Sequence, residues 1–129
     1  MNQRGFATLE VILMVMVIGI LASVAVPRFN EVTTAANTAK IQSDLSTIDT
    51  AISIYYMDKN TYPEKVSDLT DYLRDADNIK PPTGYAYIDG NKEKINDTEY
   101  KIAAGTNGKE SRATLDTHKA GEFYKKTSS

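Results

Sequence analysis

Apolar residues follow three regimes along the chain. From Val11 to Val26 (VILMVMVIGILASVAV) they run on with only Gly19 and Ser23 between them. Counted back to Leu9, the run reaches the lower end of what crosses a hydrocarbon core as a helix, about 17 residues. Between Pro27 and Pro63 there is neither proline nor glycine, and Ile41, Leu45, Ile48, Ile52 and Tyr55 recur at spacings of three and four. That spacing predicts an amphipathic helix. A weaker stripe, Phe29, Val32, Ala36 and Ala39, precedes it, and between the two stripes the apolar face swings by roughly 160°. The later stripe is expected to pack on the chain's own C-terminal region, and the earlier one to face neighbours.

The third regime begins at Asn60-Thr61-Tyr62-Pro63, which ends the helix. Glu64 to Arg74 resumes a short helical pattern with Val66, Leu69 and Leu73 on one side and Pro63 suited to its first turn. After the turn cluster Pro81-Pro82-Thr83-Gly84, the segments Tyr85 to Asp89 and Thr98 to Ala103 read as alternating strands joined by a polar loop around Gly90. A third strand is expected in Arg112 to Leu115 or in Glu122 to Tyr124. The Thr106-Asn107-Gly108 turn and the Lys125 to Ser129 tail leave that region without a defined element. The predicted class is α+β, a long N-terminal helix packed on a small antiparallel sheet. Its expected segments are 1–5, 6–27, 28–59 and 60–129, the last packing on 40–58.

Composition changes this picture little. A chain of 129 residues with formal net charge -2 is one modest domain. No cysteine is present, which excludes a disulfide framework and a thiolate metal site. Lys and Arg are scattered among Asp and Glu rather than gathered in a basic stripe, so nucleic acid is not an expected partner. The head MNQRG carries Arg4 and no acidic residue. The positive-inside tendency then places the N-terminus in the cytoplasm and the residues after Pro27 outside. The Ala22-Ser23-Val24-Ala25 stretch also fits a secretory cleavage site, although the apolar run leads on into helix-compatible sequence.

Glu10 is the anomaly, an ionisable group at the start of the span, where an unpaired charge costs about 3 kcal/mol. Either it reaches headgroups at the interface or it awaits a partner. The residues around it carry a resemblance. Arg4-Gly5-Phe6-Ala7-Thr8-Leu9-Glu10, followed directly by the apolar run, resembles the class III signal of prepilins, the precursors of type IV pilins and type II secretion pseudopilins. The resemblance implies a leader of residues 1–5, cleavage between Gly5 and Phe6 by a prepilin peptidase on the cytoplasmic side, and N-methylation of Phe6. Glu10 then occupies the fifth place of the processed chain, as in the family. Gly19 and Pro27 fall where pilin helices carry their helix-weakening residues, which marks them as a hinge. Ala7-Thr8 departs from the family, whose members more often have Thr followed by Leu.

Cleavage before Phe6 would expose an α-amine that ordinarily titrates at about 8, largely protonated at neutral pH. Glu10 is the only carboxylate in the segment able to pair with it. The resemblance implies that Glu10 of an incoming subunit meets the Phe6 amine of one already placed. It further implies a helical homopolymer, with an inner-membrane assembly platform and minor pseudopilins as partners. The expected location is the cytoplasmic (inner) membrane, followed by an extracytoplasmic filament. The Tyr62-Pro63 turn and the leucine-bearing segment after it look like the region following the long helix in major pseudopilins.

Candidate chemistry elsewhere is sparse. Asp89, Asn91, Glu93, Asn96 and Asp97 crowd one stretch, and oxygen ligands near a glycine suit calcium, which some major pseudopilins bind in a C-terminal loop. The spacing is not that of an EF-hand, and Lys92 and Lys94 intrude, so a solvated hairpin turn is the competing reading. His118, the only histidine, reads as an exposed loop residue. No nucleophile with an oriented base can be assembled, so no enzyme is expected. Tyr55, Tyr56, Tyr62 and Tyr72 read as core and interface aromatics. Two functions stay open: a structural filament subunit, best matched to a type II secretion major pseudopilin, and a bitopic protein whose outer domain binds a partner without polymerising. Within the first, a retractile surface pilus and a competence filament are alternatives to the secretion pseudopilus.

Overall fold

The computed structural model describes residues 3–106 and 109–127, and the side chains of 25–29 fall outside that description. The Thr106-Asn107-Gly108 turn, the side chains of Pro27 and Phe29, the start of the 1–5 leader and the end of the Lys125 to Ser129 tail therefore lie beyond the described residues. Helix α1 covers Gln3–Lys59 and includes both Gly19 and Pro27. It ends where Asn60 adopts a left-handed backbone, φ 56°, with its N–H donating to the Tyr56 carbonyl at 2.8 Å. Asparagine tolerates that conformation, and the bond closes one of the orphan carbonyls of the last turn.

The chain divides into two compact units, Met1–Thr33 and Thr34–Ser129. In the first, the described residues belong wholly to α1. The second has a single core. Ile41, Leu45, Ile48, Ala51 and Ile52 form one face of α1 and are essentially inaccessible to solvent. Packed with them are Leu69, Leu73, Ala76, Ala86, Ile88, Ile95, Tyr100, Ala113, Leu115 and Phe123, with Tyr55 at the margin. The fold is α+β, as the periodicities predict.

The short helical pattern expected over Glu64 to Arg74 is realised only in part. The segment forms a 3-10 turn over Val66–Leu69, followed by turns. The Asp68 carboxylate accepts the N–H groups of Glu64 and Lys65, both at 3.1 Å, which caps the turn from within. Helix nucleation is costly over so few residues. A 3-10 spacing aligns Val66 with Leu69, so one tight turn already brings Leu69 into the core.

The strands form two separate two-stranded ladders rather than one sheet. Strand β1 (Tyr85–Ile88) pairs antiparallel with β2 (Asn91–Lys94), and β3 (Lys101–Ala103) with β4 (Arg112–Thr114). Asp89 and Gly90, at φ 49° and 86°, join β1 to β2 through a two-residue turn. Asp-Gly suits the I′ geometry because both positions need positive φ. The polar loop expected around Gly90 is thus a strand of four exposed residues, and it takes the place on β1 expected for Thr98 to Ala103. Arg112–Thr114 is one of the two positions expected for a third strand. At the other, Glu122 ends a 3-10 turn, Ala120–Glu122, and Phe123 is fully buried.

Polar side chains of α1 fix the hairpins on the helix. The buried Thr38 hydroxyl donates to the Thr34 carbonyl at 2.7 Å and accepts the Tyr87 N–H at 2.8 Å. Asn37 donates to the carbonyls of Thr83 and Tyr85 at 3.1 and 3.0 Å. Thr38→Val keeps the shape but strands the Tyr87 N–H, which should lower stability by about 1–2 kcal/mol. Chemical denaturation of the full chain in detergent micelles would register this as a lower midpoint at unchanged slope. A midpoint equal to wild type would show that this bond does not position β1.

Candidate functional site

Gly5, Phe6 and Glu10 lie within the first turns of α1. Four residues apart, Phe6 and Glu10 share a helix face, one turn from each other. The Thr8 hydroxyl donates to the Arg4 carbonyl at 2.9 Å, so the turn that carries the expected scissile bond is also stapled from its side chain. A Cβ built on Gly5 would meet nothing within 4 Å. Phe6 is 53% exposed. Glu10 is exposed and, among the described residues, has no hydrogen-bond or ion-pair partner.

Every side chain from Gln3 to Val24 is exposed, and an 18-residue window within this 22-residue segment has a mean hydropathy of 2.4. The segment is long and apolar enough to cross a membrane. A helix that is apolar all round, with no side buried on its own chain, has lipid or another protein as its natural surroundings. Gly19 lies within this segment, and its added Cβ would also meet nothing within 4 Å. The earlier stripe continues the pattern, with Val32 65% exposed and Ala36 and Ala39 exposed.

The second unit holds polar clusters, of which one links α1 to β4. Asp49 accepts from Arg112 Nε and Nη2 at 3.1 and 3.0 Å and from the Ala113 N–H at 2.7 Å. The hydrogen bond and charge of Asp49 raise the Arg112 pKa above its ordinary value. Tyr100 donates to Asp44 at 2.6 Å, and Lys40 pairs with the same carboxylate at 2.5 Å. Burial first, and the bond to Asp44 second, push the Tyr100 hydroxyl pKa up.

Of the acidic calcium candidates, Asp89 alone belongs to a group of three histidine or carboxylate ligands among the described residues. Asn91 and Glu93 stand exposed on β2. Asp97 is engaged with Asp116, whose carboxylate accepts the N–H groups of Asn96 and Asp97 at 2.8 and 2.7 Å while Asp97 accepts the Asp116 N–H at 3.1 Å. Asp89 lies instead beside His118 and Glu122. His118 is not the exposed loop residue expected: its side chain is 28% accessible and lies edge-on to Phe123, with ring centroids 6.3 Å apart. Only its four-residue spacing from Glu122 hints at this grouping in the sequence.

Among curated proteins, the chain is similar to the type II secretion system core protein G of Klebsiella michiganensis, at 32% identity over 89 residues, 69% of this chain and 62% of that protein. The protein of the same name from Pectobacterium carotovorum is 36% identical over 68 residues, 53% of this chain and 44% of its own length. The type IV narrow pilus major component PilA5 of Thermus thermophilus is 35% identical over 54 residues, 42% of this chain and 47% of that protein. The chain thus spans about half the length of the curated relatives it matches. No protein-family model matches it, and no solved structure does. Relatives in both a secretion system and a pilus, together with the apolar N-terminal helix and the small antiparallel ladders, place this chain in the type IV pilin and type II secretion pseudopilin family.

Proposed function

We propose that the chain is a structural subunit of a type IV pilus-like filament, of the type II secretion major-pseudopilin kind. Residues 1–5 are its leader, 6–27 its span and assembly segment, 28–59 the amphipathic part of the helix, and 60–129 the small region that packs on 40–58. A prepilin peptidase cuts between Gly5 and Phe6, and Phe6 is then N-methylated. The precursor waits in the inner membrane with its N-terminus in the cytoplasm, and the assembly platform, with minor pseudopilins, draws it into a helical homopolymer outside. Its role is structural rather than catalytic.

The observation that carries this reading is Glu10, a carboxylate with no partner among the described residues, inside a 22-residue helical segment apolar enough to cross a membrane and one turn after the residue that processing would leave with a free amine. A helix that served only as an anchor would insert more favourably without it. A buried ion pair adds little net stability but sets register well, because the wrong register leaves both charges unpaired. Gly19 and Pro27 support a further part of the reading. Proline offers no N–H to the Ser23 carbonyl, and glycine is a weak helix former, so 19–27 is where the helix loosens on assembly.

Glu10→Gln tests the central claim. Membrane insertion and processing should match wild type, while the yield of sheared filaments falls by at least about tenfold, since one partner of the pair is gone. Filament yield at the wild-type level would show the carboxylate to be an interfacial passenger and the register mechanism to be wrong.

A further inference from the structure

We propose that Asp89, His118 and Glu122 form a binding site for one divalent transition-metal ion of the zinc class. One ligand atom from each of the three lies within 4.8 Å of the others, the one group of three histidine or carboxylate ligands found among the described residues. His118 Nδ1 is 3.5 Å from Glu122 Oε1. Zinc holds nitrogen and oxygen ligands at 2.0–2.2 Å, so a tetrahedral set needs donors about 3.4 Å apart. The His118–Glu122 separation already meets that requirement.

The second observation is the state of the imidazole. Nδ1 is buried and, among the described residues, has no hydrogen-bond partner, an unusual condition for a buried polar atom. An ion lodged between Nδ1, Glu122 and Asp89 would satisfy it. The ring as a whole remains partly accessible, which leaves a route of entry. A neutral imidazole with two carboxylates supplies two negative charges to a divalent ion. Calcium and magnesium call for oxygen ligands in larger number, so the nitrogen selects a zinc-class metal. Three protein ligands leave a fourth position for water.

The three side chains are held by backbone rather than by chance. The Asp89 N–H donates to the Glu122 carbonyl at 2.7 Å, and the Gly90 N–H to the Tyr124 carbonyl at 3.1 Å. His118 exchanges both backbone bonds with Leu115, at 2.9 and 3.0 Å. Glu122 Oε2 accepts the Lys119 N–H at 2.6 Å, which leaves Oε1 toward the imidazole. The C-terminal segment passes so near the β1–β2 turn that a Cβ on Gly90 would come within 2.7 Å of Lys126 Cβ. The neighbouring cation Lys125 lies over the Tyr87 ring, 5.6 Å from its centroid. A bound ion would staple this segment to the turn, a role separate from filament assembly.

The test uses the untagged full chain in detergent micelles. Calorimetric titration with Zn²⁺ should give one ion per chain, and Co²⁺ in its place should show the visible absorption of a low-symmetry site. Zinc should also shift the ¹⁵N resonance of His118 Nδ1. Affinity should fall by at least about tenfold in His118→Gln, Glu122→Gln and Asp89→Asn, and millimolar Ca²⁺ should not displace the ion. The two carboxylate variants keep the imidazole in place, so they decide the matter if His118→Gln does not fold. The proposal is overturned by the absence of stoichiometric binding, by affinity that the carboxylate variants leave unchanged, or by equal displacement with Ca²⁺. A simple ion pair between a protonated His118 and Glu122 would give the first of these outcomes.

Discussion

Gly5→Leu is expected to leave the precursor uncut while the helix and its membrane insertion stay intact. Nothing lies within 4 Å of a Cβ at this position, so the larger side chain disturbs no contact in the chain. Glycine in a helix is also about 1 kcal/mol less favourable than a good helix former, so the substitution strengthens α1 rather than weakening it. Any loss is therefore a loss of recognition. A peptidase cleft shaped for a hydrogen before the scissile bond meets four extra carbons. A transition-state penalty of about 4 kcal/mol there already means a rate nearly a thousandfold lower. Intact mass after co-expression with a prepilin peptidase reads the result directly. Efficient removal of residues 1–5 from the leucine variant would show that Gly5 is not the recognition residue, and with it would go the assignment of Phe6 as the mature N-terminus.

Asp49→Ala should cause the largest loss of stability among the polar substitutions considered. Its carboxylate, 15% exposed, is the common acceptor for the Arg112 guanidinium and the Ala113 N–H, and so ties α1 to β4. Ala113 is fully buried, and removing the acceptor leaves its N–H with no replacement. Arg112 is 42% exposed and can turn to water, which reduces its share of the cost. The sum is about 2–3 kcal/mol, a fall of roughly 10–20 °C in the thermal midpoint of a domain this size. Asp49→Asn retains an acceptor for Ala113 and should cost about 1 kcal/mol. Circular dichroism melts of both variants in the same detergent would separate the backbone bond from the ion pair. Equal midpoints for Asp49→Ala and wild type would show that β4 is positioned by apolar packing alone.

The contrast between β1 and β2 shows which signals a sequence carries clearly. Tyr85–Ile88 is a short apolar and aromatic run bounded by turn residues and buries three of its four residues, so its pattern announces a strand. Asn91–Lys94 is exposed at all four positions and has no apolar face to announce. Its evidence lay in Asp89-Gly90, whose readiness for positive φ marks a two-residue hairpin more strongly than the composition of the strand that follows. The short segment after Pro63 is ambiguous in sequence for a related reason. Val66, Leu69 and Leu73 fit a helical period, but so does one 3-10 turn followed by turns, and over so few residues periodicity does not separate them.

The sequence by itself determined whatever depends on local period and on transfer from water. The apolar run to Val26 demands a non-aqueous setting, the stripe from Ile41 to Ile52 demands a covering layer, and a lone Glu10 in that run demands a partner. Such demands are properties of side chains at helical spacing and need no knowledge of distant residues. The tertiary structure decided what depends on pairing between segments far apart. It put Asp49 against Arg112, Thr38 against the Tyr87 N–H, and Asp97 against Asp116. It set Asp89 beside His118 and Glu122. Which strands pair, and which polar side chains meet, follows from how short segments close over one shared core. A hydrogen bond between residues dozens of positions apart leaves no periodic trace along the chain.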